Sequence, residues 1–177
     1  HAVGGAMALT NAGTFTTDAA ANVTVNGAFT QIGGGTNSLG GDITSTTAGI
    51  DFLDAVTLTD AVAMDSSGGG GDIVFRSTLN GTGVGTESLT LTAGVGNITL
   101  TGAVGGGVAV GDTTVVSATN VTTTAGLSAA SLTVDATGTT SLTGDTLVNG
   151  DIDVVSGVIT AFDDVISQSG DITLEAD

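Results

Sequence analysis

Short runs in which Val, Ile or Leu alternates with Thr recur along the whole chain, and this period of two constrains the fold more than any other feature. Val23-Thr24-Val25, Val56-Thr57-Leu58-Thr59, Leu89-Thr90-Leu91-Thr92, Ile98-Thr99-Leu100-Thr101, Leu132-Thr133-Val134 and Ile172-Thr173-Leu174 all follow it. Strict alternation puts the apolar side chains on one buried face and Thr on the other. No stretch of helical length shows a 3.6-residue period, and the helix formers Lys, Arg and Glu are nearly missing. The chain is expected to be all-β.

A corner motif punctuates the runs: Gly41-Asp42-Ile43, Gly71-Asp72-Ile73, Gly96-Asn97-Ile98, Gly150-Asp151-Ile152 and Gly170-Asp171-Ile172. Gly is read here as supplying positive φ, and Asp or Asn as hydrogen-bonding its own following backbone. The Ile then opens a strand with its side chain inward. Successive motifs return every 20 to 30 residues where they are adjacent, with only turns between. Antiparallel sandwiches space strands 8–12 residues apart without one repeated corner, so the expectation is a parallel β-helix, or β-solenoid, with rungs of roughly 20–30 residues.

Charge excludes several functions. Lys+Arg is 1 against Asp+Glu 18, a net charge of −17. Nucleic-acid binding needs cations to displace phosphate counterions, and anionic membrane surfaces repel such a chain. No apolar run is long enough to span a bilayer as a helix. Disulfides and thiolate metal sites are excluded by the lack of Cys. Disorder is disfavoured because 40% of residues are hydrophobic. His1 is followed by no basic region and apolar stretch of a signal peptide, so the chain reads as a processed or excised piece.

The whole of 1–177 reads as one continuous block with an internal duplication. Residues 18–56 align without gaps on 127–165, bringing Val25 onto Val134, Gly41-Asp42-Ile43 onto Gly150-Asp151-Ile152, Asp54 onto Asp163 and Val56 onto Val165. The tail Gly170 to Asp177, followed by the head His1 to Gly5, resembles the internal stretch Gly96 to Gly106. That likeness predicts a unit that continues at both ends, by peptide bond or by head-to-tail stacking.

The runs GDIVF at 71–75, LNGTG at 79–83, ESLTLTAGVGNITLTGAVGG at 87–106 and TNVTTTAGLSAASLTVDATGTTSLTG at 119–144 resemble repeats of very large bacterial surface proteins. These are the filamentous-haemagglutinin-like and autotransporter-like adhesins. The resemblance implies a right-handed parallel β-helix, secretion from a Gram-negative-type cell, and a role as an extracellular or cell-surface stalk or fibre.

Candidates for chemistry are few. The sole His is residue 1, and a nucleophilic triad needs a positioned base. Asp163-Asp164 and Asp151/Asp153 are the carboxylate pairs, read as solvated corner and strand positions. Ser67 to Val74 is an imperfect match to a calcium-binding nonapeptide, which makes Asp60, Asp65 and Asp72 the candidate calcium ligands. No other cofactor is expected. Gly81-Thr82-Gly83-Val84-Gly85 has the look of a phosphate loop but lacks a following helix, so it is read as a turn. Sequons begin at Asn22, Asn80, Asn97 and Asn120. Thr-x-Thr pairs at Thr14, Thr44, Thr57, Thr90, Thr99, Thr122 and Thr137 suggest an ice-binding face, but their unequal intervals keep them from all sharing one face.

The expected function is a non-enzymatic structural module that assembles with itself, head to tail, into a filament with lateral bundling. A glycan-binding adhesin module is the second reading, through Gly-rich loops at Gly33 to Gly35, Gly68 to Gly71 and Gly105 to Gly107. Ice binding and polysaccharide cleavage come last.

Overall fold

In the computed structural model, which describes residues 1–161 and 163–177, the chain winds as a parallel β-solenoid of about nine coils. No helix occurs among the described residues, and the strand pairings are parallel. Each coil crosses three faces, termed A, B and C in chain order. On face A one column of stacked residues runs Val23, Ile43, Met64, Leu91, Val115, Val134, Val154, Leu174. On face B it runs Met7, Phe29, Ile50, Ile73, Ile98, Val121, Thr140, Ile159. On face C it runs Phe15, Asn37, Val56, Leu79, Val104, Leu127, Thr146, Val165.

These columns meet along the axis to form one narrow core. Val25, Ile43, Ile50, Leu58, Ile73, Leu89 and Ile98 are all fully buried within it. Each such aliphatic side chain contributes roughly 1.5–3 kcal/mol relative to exposure. Phe29, Phe52 and Phe75 thicken the core between the second and fourth coils. Their ring centroids lie 5.2 Å apart for Phe29–Phe52 and 5.5 Å for Phe52–Phe75.

Thr does not always face outward. Thr113, Thr123, Thr140 and Thr146 are buried. Thr has the shape of Val, and the hydroxyls of Thr123 and Thr140 are satisfied within the coil stack, whereas those of Thr113 and Thr146 have no hydrogen-bond partner. Thr123 Oγ1 donates to the Thr143 carbonyl at 3.2 Å and accepts from the Thr143 N–H at 3.1 Å. Thr140 and Ser156 pair their hydroxyls across neighbouring coils.

The corner motif differs from its sequence reading in three ways. First, it marks two stations: Ile43, Ile152 and Ile172 open face-A strands, whereas Ile73 and Ile98 open face-B strands. Second, its glycines lack positive φ; that conformation falls instead on Gly33, Gly34, Gly70, Gly85, Gly94, Gly105, Gly126 and Gly144. Corner glycines are required by contact with the coil before. A Cβ would lie 2.6 Å from the Ala21 carbonyl oxygen at Gly41, 2.1 Å from the Ala48 carbonyl carbon at Gly71, and 2.3 Å from the Gly71 oxygen at Gly96. At Gly170 it would meet Asp151 Oδ1 at 2.3 Å, and at Gly150 the Ala130 oxygen at 3.0 Å.

Third, the corner Asp and Asn bond to the next coil rather than to their own. Asp42 Oδ1 accepts from Ala63 N–H at 2.9 Å, Asp72 Oδ1 from Asn97 N–H at 2.7 Å, and Asp151 Oδ1 from Asp171 N–H at 3.0 Å. Asn120 extends one such ladder, donating to Asn97 Oδ1 at 2.8 Å and accepting from Thr139 N–H at 2.8 Å. Parallel coils hold the next N–H about 4.8 Å away, within reach of a short side chain.

The internal duplication is a displacement of five coils. Ile50 and Val56 occupy the stations of Ile159 and Val165, 109 residues on, as the alignment has it. On face A, however, Val23 rather than Val25 shares the column of Val134. The tail-to-head likeness is also out of station, since Ile98 lies on face B and Ile172 on face A. Ala2–Val3 is itself a face-A strand, so joining Asp177 directly to His1 would place two A strands in succession.

Gly71→Ala and Gly96→Ala are expected to destabilise by about 1–3 kcal/mol, because the clashing atoms are backbone. Gly13→Ala, with nothing within 4 Å of its Cβ, should change nothing. Thermal unfolding followed by circular dichroism checks both.

Candidate functional site

Two neighbouring loops mark the corner between faces C and A. Between Leu79–Asn80 and Leu89–Thr92 the fourth coil leaves face C in a loop over residues 81–88, and residues 105–109 form a second loop in the next coil. The two are tied together: Asn80 Oδ1 accepts from Gly107 N–H at 2.8 Å, and Gly85 N–H donates to the Ala109 carbonyl at 2.9 Å.

Glu87 holds the first loop. It is 8% exposed, and its carboxylate accepts the Thr82 hydroxyl at 2.7 Å, the Thr82 N–H at 3.0 Å and the Gly83 N–H at 3.0 Å. Burial works to raise its pKa, but the hydrogen bonds from Thr82 and Gly83 outweigh it and hold the carboxyl at about 2. The Gly81 to Gly85 segment is thus a turn, as expected, and the donors a phosphate would need are taken by the chain's own carboxylate. Sequence reading missed Glu87. Its only signal is that it is the one Glu in the interior of the sequence.

Clamped in this way, the loop overhangs the outer side of face C and makes the wall of a groove of about 440 Å³. Val84 and Gly85 form the overhang, Ala109 and Ala130 the base, and Leu147, Asn149 and Gln168 the far side. A shallower hollow of about 210 Å³ continues across Ser128 and Leu147 to Asp145.

The residues singled out from sequence are dispersed. Asp60, Asp65 and Asp72 are not brought together, and among the described residues no three His, Cys, Asp or Glu side chains form a metal-ligating group. Asp60 accepts its neighbour Ala61 N–H at 2.8 Å, Asp65 accepts the Ser67 N–H and hydroxyl at 2.8 and 2.6 Å, and Asp72 belongs to the corner ladder. Asp163 accepts the Gly144 N–H at 2.8 Å, just as Asp54 accepts that of Gly34 at 2.8 Å. Arg76 makes a two-pronged contact with Asp51 across adjacent coils, at 2.9 and 2.8 Å.

The sequon amides are occupied. Asn22 Nδ2 donates to Asp42 at 3.1 Å, Asn97 Nδ2 to Asp72 at 3.1 Å and Asn120 Nδ2 to Asn97, while Asn80 Oδ1 holds the second loop. A glycan on Nδ2 of Asn22, Asn97 or Asn120 would displace these contacts. The Thr-x-Thr pairs spread over all three faces, as their intervals imply. Even so, unequal loop lengths bring Thr99/Thr101, Thr122/Thr124 and Ser141/Thr143 into register on face B. Of the Gly-rich interruptions, Gly33 to Gly35, Gly68 to Gly71 and Gly105 to Gly107 fall at three different corners.

Another buried polar cluster went unforeseen. Gln31 points into the core, donating to Asn11 at 2.7 Å and Asp54 at 2.9 Å and accepting from Asp54 N–H at 3.1 Å. With every amide position satisfied, it joins the corners of three coils and offers nothing to a ligand.

Because folding lowers the Glu87 pKa, its contribution is full above the ordinary value of 4.5 and is lost as pH falls through about 2. At pH 6, Glu87→Gln is expected to unfold at lower denaturant, by about 1–3 kcal/mol. At pH 2 the two proteins should converge. An equal gap at both pH values would remove the charged clamp from the account.

No protein-family model matches the chain, and neither the curated proteins nor the solved structures contain a significant match to it.

Proposed function

We propose that the chain is a structural module: a block of coils within an extracellular bacterial fibre or adhesin stalk. The observation that carries this reading is that the stabilising contacts run along the axis between equivalent stations. Aliphatic columns, the Phe29–Phe52–Phe75 row and the Asp/Asn ladders each link a coil to the next. Such a rod transmits load along its length, and nine coils at about 4.8 Å make it on the order of 40 Å long. The resemblance to filamentous-haemagglutinin-like and autotransporter-like repeats points the same way.

The end coils favour continuation. Val3, Met7, Leu9 and Phe15 are only partly buried at one end. At the other, Ile172 and Leu174 are 46% and 45% exposed. Further coils, in the same polypeptide or from a second copy, would cover these side chains and pair the open strand edges. Lateral association is opposed by the net charge of −17, nearly all of it on exposed or half-exposed Asp.

Mass measurement with electron microscopy tests the reading. It predicts filaments that lengthen by coil stacking and bundle sideways at high salt or at pH near 4, where carboxylates protonate. A stable, non-polymerising monomer of 16.8 kDa would contradict it.

A further inference from the structure

We propose that the groove beneath the Glu87-clamped loop binds a neutral glycan chain. Two of its lining residues, Asn149 and Gln168, differ from the other amide side chains. Asn11, Asn22, Asn26, Gln31, Asn37, Asn80, Asn97 and Asn120 all hydrogen-bond within the solenoid. Among the described residues, the Asn149 and Gln168 amides make no such bond. They stand at the same corner of consecutive coils, since Asn149 N–H bonds to Ala129 and Gln168 N–H to Val148. Their backbones therefore lie about 4.8 Å apart at one corner, and each side-chain amide offers one acceptor and two donors.

A pyranose has a polar rim of hydroxyls and an apolar C–H face, and the groove has both counterparts. The two amides meet the rim. Val84, Ala109, Ala130 and Leu147 supply an apolar bed without a bulky side chain to fill it. The Glu87 hydrogen bonds fix the overhanging wall before any ligand arrives, which lowers the ordering cost of binding. No charged side chain lines the groove, in a chain of net charge −17, so anionic sugars are repelled and a neutral one is not.

An extended peptide fits less well. Strand addition needs a free backbone edge, and from Leu127–Ala129 to Val165–Ser167 the backbone groups are spent on the coil-to-coil ladder, which leaves only the outer edge of Val165–Ser167 at the end of the rod rather than under the loop. Without an aromatic platform, affinity for one glycan segment is expected on the order of 1 mM. Many copies of the groove along a fibre would raise the avidity. This inference does not depend on the fibre reading; a monomeric chain would carry the same groove.

The test is amide NMR of the folded chain titrated with neutral tetrasaccharides of glucose, mannose and N-acetylglucosamine at about 10 mM, tenfold above the expected Kd. At least one should shift the side-chain NH₂ signals of Asn149 and Gln168 together with the backbone of Val84 and Gly85. The double variant Asn149→Ala/Gln168→Ala should weaken binding at least tenfold while keeping the wild-type spectrum elsewhere, since both side chains are exposed. Silence of these signals with all three sugars overturns the proposal. So does a stronger response to polygalacturonate fragments or to an uncharged extended peptide.

Discussion

The constraint on which everything else depends is the stacking of one coil on the next at the hydrogen-bonding distance of a parallel sheet, about 4.8 Å. At that separation each side chain meets the residues at its own station above and below. Apolar residues therefore form columns, and polar groups at repeated corner positions find their partners along the axis. Asp72, Asn97 and Asn120 form a ladder for this reason. So do the corner glycines, where a Cβ would enter the backbone of the preceding coil. Ordinarily a chain of this charge and aromatic poverty would struggle to build a core. The solenoid avoids the difficulty because its core is one side chain deep along each face and grows with every coil.

Much of this was legible in the sequence, because a period of two and a recurring corner are direct consequences of strand geometry and winding. Burial of Val23, Val25, Ile43, Ile98 and Val134 follows from alternation alone. What alternation cannot distinguish is an outward Thr from an inward one, since Thr140 and Thr146 replace Val without changing shape. Nor does a local motif reveal which face it opens. Ile43 and Ile73 follow the same tripeptide yet enter different faces, because the loop over residues 66–72 changes the count between them. The two-residue offset of Val25 against Val134 arises in the third and eighth coils, where the step from face A to face B is 7 residues from Ile43 to Ile50 but 5 from Val154 to Ile159.

The candidate groove was hidden for a related reason. Its wall, base and far side come from the fourth to the eighth coils, so residues separated by as much as Val84 and Gln168 share it. Sequence marks the loop through Gly81, Gly83 and Gly85, but the carboxylate that folds it comes from Glu87, and nothing local distinguishes a clamping Glu from a solvated one. The Asp residues that invited a calcium reading are each engaged by neighbouring backbone or hydroxyl groups. The Asp side chains lie on the exterior of the rod, exposed or half-exposed.

Coil-to-coil register is most directly tested by the distance between spin labels at Thr24→Cys and Asp135→Cys, in a chain that has no native Cys. Both side chains are exposed on face A, in the second and seventh coils. Five parallel steps predict a narrow distribution centred at about 24 Å, despite the length of chain between the two sites. A broad distribution, or a centre displaced by more than about one coil spacing, would contradict the in-register solenoid.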